Sequence, residues 1–252
     1  MTLKNLGHLL GALLLFMTSS CFAQTEDALP DLFTGTWAVN YGPGSGYVTA
    51  PELTEAGMAQ VTEYRRRQTA GELPDSGEGI NCVPNGMPEI MASPLFLLEF
   101  YYTPEKIVAY QEAYGMVRWI YTDGRDIPGD AIPAYMGYST GHWDGDTLVV
   151  NTGSIYHGTR MSIPAPDGEG RVPINHSEAL RLVEHMRLLD DDTLEIRTSI
   201  DDPAIFSKPG EMVYTYVRHQ GQEWEVSEFV CVQNNRAYLD EEGRQHQVLT
   251  ID

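Results

Sequence analysis

Titratable side chains occupy one face of a predicted strand near the middle of the chain. Across residues 176–188 the even positions are largely apolar, yet they include His176, Glu178 and Glu184. Alternate residues of a strand point to the same side, so Glu184 is expected to face the core. A buried carboxylate needs a partner or a raised pKa, and acid–base sites use both. Glu184 is therefore either a catalytic acid or base, or a structural residue paired with an inward-facing arginine.

A partner for this carboxylate lies in residues 116–125, where two strand registers are open. Arg118 belongs to one face of the predicted strand, while Trp119 and Tyr121 share the other. If Arg118 faces inward, it can neutralise Glu184. If Trp119 and Tyr121 face inward instead, they line a pocket in which the phenol is a hydrogen-bond donor or proton relay. The sequence does not choose between the two registers.

Together these residues predict a metal-free acid–base site. Glu184 and His176 would exchange protons during the reaction with assistance from Tyr121, and an arginine would bind an oxyanion or carboxylate. Substrate contacts are predicted for Arg118, Trp119, Arg125, His142 and Glu178. The spacing of His142, His176 and Glu178 does not match a metal-binding motif, so we expect neither a metal nor another cofactor. The sequence contains no nucleophile elbow, phosphate loop or dinucleotide fingerprint.

Short apolar runs separated by turn residues supply the elements that would position this site. Turns such as 144–146 (DGD) and 190–192 (DDD) connect neighbouring runs, as is typical of antiparallel hairpins. The predicted strands cover residues 95–102, 106–112, 115–122, 138–143, 147–152, 177–188, 193–200, 212–219 and 223–232. An up-and-down meander of this length normally closes, because closure removes unpaired edges. The sequence therefore predicts an all-β, antiparallel up-and-down β-barrel.

Other segments interrupt the predicted barrel. Residues 51–72 are expected to form an inserted helix, because Pro51 suits a first turn, residues 65–67 (RRR) suit a last turn and Gly71 ends it. Residues 73–79, 123–137 and 163–175 are predicted loops, and residues 233–252 a C-terminal tail. The two longer loops are either binding lids at a barrel mouth or surface excursions. We expect one barrel domain over residues 24–252.

The N-terminus has the pattern of a secretory signal peptide. Lys4 provides the charged region, residues 9–17 the apolar run, and residues 21–23 (CFA) a cleavage site that would remove residues 1–23. The apolar run is shorter than the ~20 residues that a membrane-spanning helix needs. A lipoprotein anchor on Cys21 is less favoured, because Thr18 stands where such signals have an aliphatic residue. The mature protein is therefore predicted to be periplasmic or secreted, with cleavage near Ala23.

Charge and cysteine content restrict the partners and the redox state. The formal net charge of -20, from 36 acidic and 16 basic residues, argues against nucleic acid or an anionic membrane surface as a partner. Removal of the leader leaves Cys82 and Cys231, and an even number in an oxidising compartment favours a disulfide. Two buried thiols are the alternative. A metal site is less favoured, since neither cysteine has a nearby His or Cys companion.

Several motifs carry a resemblance to known proteins. RWIYTDGR (118–125), GHWDGDTLVV (141–150) and HSEAL (176–180), together with residues 82–88, 201–203 and 228–235 and with Glu184, resemble a large family of mostly uncharacterised exported bacterial proteins. No agreed catalytic mechanism comes with this resemblance. Separately, residues 35–37 (GTW) are similar to the opening of lipocalins and calycins, in which a tryptophan closes the base of the barrel. That similarity implies a lipocalin-like fold.

Three classes of function are compatible with these residues. The leading expectation is an exported enzyme, a lyase, isomerase or hydrolase, that acts on a largely apolar organic molecule in the barrel cavity. The alternative is a non-catalytic lipocalin-like carrier of a small apolar or amphipathic molecule, since barrels of this kind serve both purposes. A structural or envelope interaction protein would instead have a filled interior in which Glu184 is fully paired.

Overall fold

Alternation between buried and exposed side chains accounts for most of the strands. The computed structural model describes residues 33–72, 82–93, 95–221, 224–231, 236–239 and 245–248, and in it Lys106–Gln111 and Thr193–Asp201 alternate residue by residue. Burial of one face fixes the register of each strand. The strands are β1 (Thr36–Asn40), β2 (Gly46–Thr49), β3 (Glu52–Leu53), β4 (Leu97–Thr103), β5 (Lys106–Gln111), β6 (Met116–Tyr121), β7 (Tyr138–Asp144), β8 (Thr147–Gly153), β9 (Arg160–Pro164), β10 (Arg171–Asn175), β11 (Arg181–Asp190), β12 (Thr193–Asp201), β13 (Phe206–Lys208), β14 (Gly210–His219), β15 (Arg236–Leu239) and β16 (Gln245–Val248).

Nine of these strands close into a barrel. The order is β1-β4-β5-β6-β7-β8-β11-β12-β14, and β14 pairs with β1 to complete the ring. β2 adds to the edge of β14, while β3–β13, β9–β10 and β15–β16 form separate two-stranded ribbons. Closure satisfies the backbone groups that an open sheet would leave at its edges. The predicted all-β barrel with one helix is confirmed.

One pairing in the barrel differs from the antiparallel expectation. β6 and β7 run parallel, with Ile120 beside Ser139 and Tyr121 beside Thr140. Parallel neighbours cannot be joined by a tight turn. The connection is the predicted long loop, which brings the chain to the start of β7 beside the end of β6. The barrel is therefore mixed rather than wholly antiparallel.

The predicted loop at residues 163–175 is wrong, because most of this segment belongs to a β-hairpin. β9 and β10 pair in antiparallel register around a turn at residues 165–170. Their alternate residues Met161, Ile163, Val172 and Ile174 are buried, which gives the hairpin one apolar face. Pro173 is tolerated because a two-stranded ribbon has only edge strands, where an absent N–H costs little.

The inserted helix is shorter than predicted. α1 spans Glu55–Thr69, and Thr54 caps it by accepting a hydrogen bond from the Gly57 N–H at 3.2 Å. Residues 52–53 before it form β3, which pairs with β13. Gly57 permits a close approach, because a Cβ at this position would lie 2.6 Å from the carbonyl oxygen of Ile205. The helix thus begins against the turn before β13.

The segment after β14 is not the predicted strand 223–232. Residues 224–231 lie outside any strand and cross the outer face of the barrel, where the Ser227 N–H donates to Glu112 Oε1 at 2.7 Å. Cys231 then reaches Cys82, with 5.7 Å between the Cα atoms, which confirms the expected disulfide pair. The predicted signal peptide, the 73–79 loop and most of the 233–252 tail lie outside the described residues. In the described part of the chain, no helix is long and apolar enough to span a membrane.

An aromatic cluster fills the interior near the start of β1. Trp37 is fully buried and donates from Nε1 to the carbonyl oxygen of Phe33 at 2.9 Å. The Phe33 ring packs against Phe100 and Trp143, with centroids 5.4 and 5.6 Å apart. Aromatic pairs at this spacing contribute about 0.5–1.5 kcal/mol beyond the area they bury. The tryptophan of the GTW motif therefore anchors one end of the barrel.

Candidate functional site

The inward-facing charge predicted on β11 is paired inside the barrel. Glu184 is 1% exposed and lies between the buried Leu182 and Met186, as the alternation predicted. Arg118 on β6 is 0% exposed, which settles the open register in favour of Arg118 and Ile120 facing inward. Its Nη1 donates to Glu184 Oε1 at 3.0 Å, and its Nη2 donates to Oε2. The Glu184 carboxylate therefore forms a bidentate ion pair with the Arg118 guanidinium.

Hydroxyl groups complete this buried network. Arg118 Nε donates to Ser139 Oγ at 3.0 Å, and Nη2 donates to Thr152 Oγ1 at 2.7 Å. The two hydroxyl oxygens lie 2.9 Å apart, so they are hydrogen-bonded as well. A buried ion pair is tolerated when its remaining donors and acceptors are satisfied in this way. The arrangement is suited to hold strands together. Both carboxylate oxygens of Glu184 accept hydrogen bonds from the guanidinium.

His176 lies in a different, equally buried environment. It is 4% exposed, and its Nδ1 lies 3.0 Å from the Ser177 carbonyl oxygen, to which it must donate. Burial lowers the pKa of His176, and Nε2 lies 2.9 Å from Thr159 Oγ1, whose hydroxyl also donates to the Tyr156 carbonyl oxygen at 3.0 Å. A hydroxyl beside an imidazole resembles an activated nucleophile. Thr159 is 0% exposed, however, so a substrate cannot reach it.

The aromatic residues that one of the two open registers would place in an interior pocket lie on the outside. Trp119 is 45% exposed on the outer face of β6, with Lys106 Nζ 3.9 Å from its ring centroid. Tyr121 shares that face and stacks on Tyr138 at 5.1 Å. Arg125 covers the Tyr121 ring at 4.0 Å. Of the two registers left open, the one with Trp119 and Tyr121 inward is therefore excluded, because the neighbouring Arg118 takes the inward position.

The remaining predicted residues are dispersed over the surface. Glu178 lies in a turn with its side chain 81% exposed, because β11 begins only at Arg181 and the strand alternation does not reach back to it. His142 is exposed on the outer face of β7, and Arg125 pairs with Asp123 in the loop after β6. Of the predicted site residues, the structure brings Arg118 to Glu184 inside the barrel and Arg125 to Tyr121 on its outer surface. It does not bring His176 to Glu184.

A second polar region lies where β2 follows β1 along one edge of β14. One edge of β14 is shared, since β1 pairs with its C-terminal half and β2 with its N-terminal half. The 3₁₀ turn Glu89–Ala92 packs into the region where β1 gives way to β2. Tyr216 donates to the Met91 carbonyl oxygen at 2.6 Å, and Gln111 donates to that of Ile90 at 2.6 Å. These two contacts fix the turn against inward-facing side chains of the barrel.

A cleft of about 340 Å³ remains between this turn, the β9–β10 hairpin and β14. We call it the mouth cleft. Small-molecule sites usually start at about 300 Å³ and combine apolar walls with a few convergent polar groups. The residues that line the mouth cleft include Tyr41, Asn85, Glu89, Ser162, Arg171 and Tyr214.

The two charged groups of the mouth cleft, Arg171 and Glu89, form an ion pair that solvent can reach. We call it the open pair. Arg171 donates from Nε to Ser162 Oγ at 2.9 Å and from Nη2 to the Ser162 carbonyl oxygen. Its Nη2 lies 3.9 Å from Glu89 Oε1, and this oxygen accepts the Ser162 N–H at 2.9 Å. Arg171 Nη1 has no hydrogen-bond partner among the described residues. The side chains of Arg171 and Glu89 are 42% and 21% exposed, so water or a ligand can reach them.

Tyrosines supply the aromatic walls and neutral donors. The rings of Tyr41 and Tyr214 meet edge to face, with centroids 6.1 Å apart. Burial raises the pKa of Tyr214 to about 12, and the nearby Glu89 carboxylate adds to this effect. Burial also raises the pKa of Tyr47, whose hydroxyl is buried without a hydrogen-bond partner among the described residues. The phenols are therefore protonated at neutral pH.

Two further clefts lie on the outside of the barrel. One lies between α1 and β10, where Gln60 hydrogen-bonds the backbone of Asn175 at 3.0 and 2.9 Å. The other lies between the outer face of β4–β5 and the segment around Ser227. Among the described residues, no group of three or more His, Cys, Asp or Glu side chains could hold a metal ion. The mouth cleft alone combines a charged pair with a ring pair among these three clefts.

No family model matches the chain, and no curated protein matches it. The two resemblances of the sequence therefore stay predictions. Sequence reasoning did not find Glu89, Arg171 or Tyr214 as site residues. The alternation in β9 and β10 was the available signal, because it would have revealed the hairpin that carries Arg171.

Proposed function

We propose that the protein is an exported binding protein for a small amphipathic organic molecule, which it holds in the mouth cleft. The observation that carries the proposal is the open pair in a concave, aromatic-walled site. Arg171 has an unused donor there, and Tyr214 and Tyr41 present ring surface beside it. Unsatisfied donors next to apolar walls are the usual composition of a ligand site.

The geometry argues against the acid–base reaction predicted at Glu184. Both carboxylate oxygens accept from Arg118, and the pair is almost fully buried. A general base must come within about 2.6–3.2 Å of the proton it removes. A substrate could do so only by displacing the guanidinium, which would leave a charge unpaired in the core. Binding without turnover is the function that these contacts favour.

An exported location fits the proposal. The leader pattern predicts secretion to the periplasm or beyond, and a Cys82–Cys231 disulfide is compatible with an oxidising compartment. The disulfide also attaches the segment that carries Asn85 and Glu89 to the end of the barrel chain. This covalent attachment helps to keep one wall of the mouth cleft in place.

Equilibrium dialysis against a pooled set of small organic molecules, read by mass spectrometry, tests the proposal. The wild-type protein should retain a compound that Tyr214→Ala retains at least about fivefold less, since the variant lacks one aromatic wall. Tyr101→Ala is the matched control, because Tyr101 is an exposed tyrosine on the outer face of β4. Retention of nothing by the wild-type protein, or equal retention by Tyr214→Ala, would show that the mouth cleft is not a binding site.

A further inference from the structure

We infer that the ligand of the mouth cleft is an uncharged, hydroxyl-rich ring, that is, a carbohydrate unit. The inference rests on the proposed binding function and names the class of molecule that the cleft selects. Three properties of the cleft support it: the balance of its charges, its mixture of donors and acceptors, and its aromatic walls.

The charge balance disfavours an ionic ligand. The cleft holds one guanidinium and one carboxylate, Arg171 and Glu89, and the tyrosines around them are protonated. An anion attracted to Arg171 would also meet Glu89 at close range, and the formal net charge of -20 adds a repulsive field. A cation attracted to Glu89 would meet Arg171 in the same way. A neutral molecule avoids both repulsions.

The hydrogen-bonding groups of the cleft are of both kinds. Arg171 Nη1 is a donor, Glu89 is an acceptor, and the Asn85 amide is both. A hydroxyl group donates one hydrogen bond and accepts up to two, so neighbouring hydroxyls on one ring can serve a mixed set. A carboxylate, which only accepts, could use Arg171 but would leave Glu89 facing a like charge. A polyol edge matches the cleft better than any single ionic group.

The tyrosine walls suit the other side of such a ring. Tyr41 and Tyr214 present ring surface at the opening of the cleft, and Tyr41 is 54% exposed. Aromatic faces carry partial negative charge and attract the weakly positive hydrogens of C–H bonds. A sugar ring has a C–H face and a hydroxyl edge. It can therefore pack on the tyrosines while its hydroxyls reach Arg171 and Glu89.

Protein NMR titration with small probes of different charge tests this class. The probes are methyl β-D-glucopyranoside, methyl β-D-galactopyranoside, the corresponding methyl β-D-glucuronide, glucosamine and benzoate, followed through the backbone amides of Gly46, Asn85 and Arg171. At least one neutral glycoside should shift these amides. The glucuronide, which differs from the glucoside by one carboxylate, should bind about fivefold more weakly at low salt. Arg171→Ala should weaken the neutral glycoside about tenfold.

Glu89→Gln provides the sharpest check, because it removes the negative charge and keeps the shape. The difference between glucoside and glucuronide should shrink in Glu89→Gln and persist in Glu105→Gln, which removes a charge from an exposed turn outside the cleft. Tighter binding of the glucuronide, glucosamine or benzoate than of both neutral glycosides would overturn the carbohydrate class while the proposed binding function stands. Absence of any shift with all five probes, while a pooled compound is still retained in dialysis, would overturn the carbohydrate class alone; retention of nothing in dialysis would overturn the binding function as well.

Discussion

Two Arg–Glu pairs in this protein consist of the same residue types but lie in opposite environments. Arg118 and Glu184 lie inside the barrel at 0% and 1% exposure, and both carboxylate oxygens accept from the guanidinium. Arg171 and Glu89 lie in the mouth cleft, 3.9 Å apart and partly exposed. In the first pair, both carboxylate oxygens are hydrogen-bonded and burial keeps ligands away. In the second pair, Arg171 Nη1 has no hydrogen-bond partner among the described residues, and water or a ligand can reach both side chains. That difference separates a stabilising contact from a binding site.

Loss of the interior pair should give the largest effect. Glu184→Gln leaves the Arg118 guanidinium buried without its counter-charge, and breaking one side of a buried pair costs about 3–5 kcal/mol. Glu89→Gln, the same substitution in the open pair, should cost less than about 1 kcal/mol because the partners are partly exposed. Chemical denaturation of both variants measures the two losses. Similar losses would mean that the pairs do not differ as described.

Replacement of the whole interior pair should recover most of that loss. In Arg118→Met/Glu184→Leu no charge is left without a partner, and apolar substitutes of similar volume are often neutral relative to a buried pair. The double variant should therefore be more stable than Glu184→Gln by about 2 kcal/mol or more. Unfolding curves of the single and double variants decide the point. A double variant as unstable as the single would show that the charges themselves, and not their pairing, stabilise the barrel.

Removal of the cleft arginine should separate binding from stability. Arg171→Ala deletes the spare donor and its contacts with Ser162, so ligand retention should fall about tenfold while the free energy of unfolding changes by about 1 kcal/mol or less. Arg187→Ala is a matched control, since Arg187 is an exposed strand arginine paired with Glu195. Undiminished retention by Arg171→Ala would move the site away from the mouth cleft.

A smaller effect concerns pH and His176. Burial lowers its pKa below the ordinary 6.5, so the unfolded chain binds a proton more readily than the folded protein does. As the pH falls below 6.5, the free energy of unfolding should therefore decrease, and it should recover as the pH rises again. His176→Gln should flatten this slope below the ordinary pKa of about 6.5. An unchanged slope in His176→Gln would exclude this histidine as a source of the pH dependence.

Much of the fold was predictable because local patterns determine it. The alternation in β11 placed Glu184 inside, and the hairpin turns indicated a closed barrel. The parallel β6–β7 pair was not predictable, since nothing local specifies the direction in which a long connection returns. The β9–β10 hairpin was missed because its prolines and glycines resemble those of a loop, although Ile163 and Val172 carry the buried face.

Of the two polar regions, only the buried Arg118–Glu184 pair was predictable from the sequence. A charge on an apolar strand face can be recognised from the alternation of residues along the strand. Arg118 and Glu184 were identified in this way, although the register of the strand that carries Arg118 was left open. The mouth cleft brings together residues from β14, β10 and the segment around Glu89, which are far apart in sequence. No periodicity connects Glu89 to Arg171 or Tyr214. Their juxtaposition follows from how the 3₁₀ turn and the hairpin pack where β2 follows β1 along β14.

The most direct test is the dissociation constant of the retained ligand, measured side by side for Arg118→Met/Glu184→Leu and for Arg171→Ala. The interior double variant should bind within about twofold of the wild-type protein, because its substitutions lie inside the barrel, outside the mouth cleft, whereas Arg171→Ala should bind about tenfold more weakly. The reverse result, in which the interior variant loses the ligand and Arg171→Ala keeps it, would contradict the assignment of binding to the open pair.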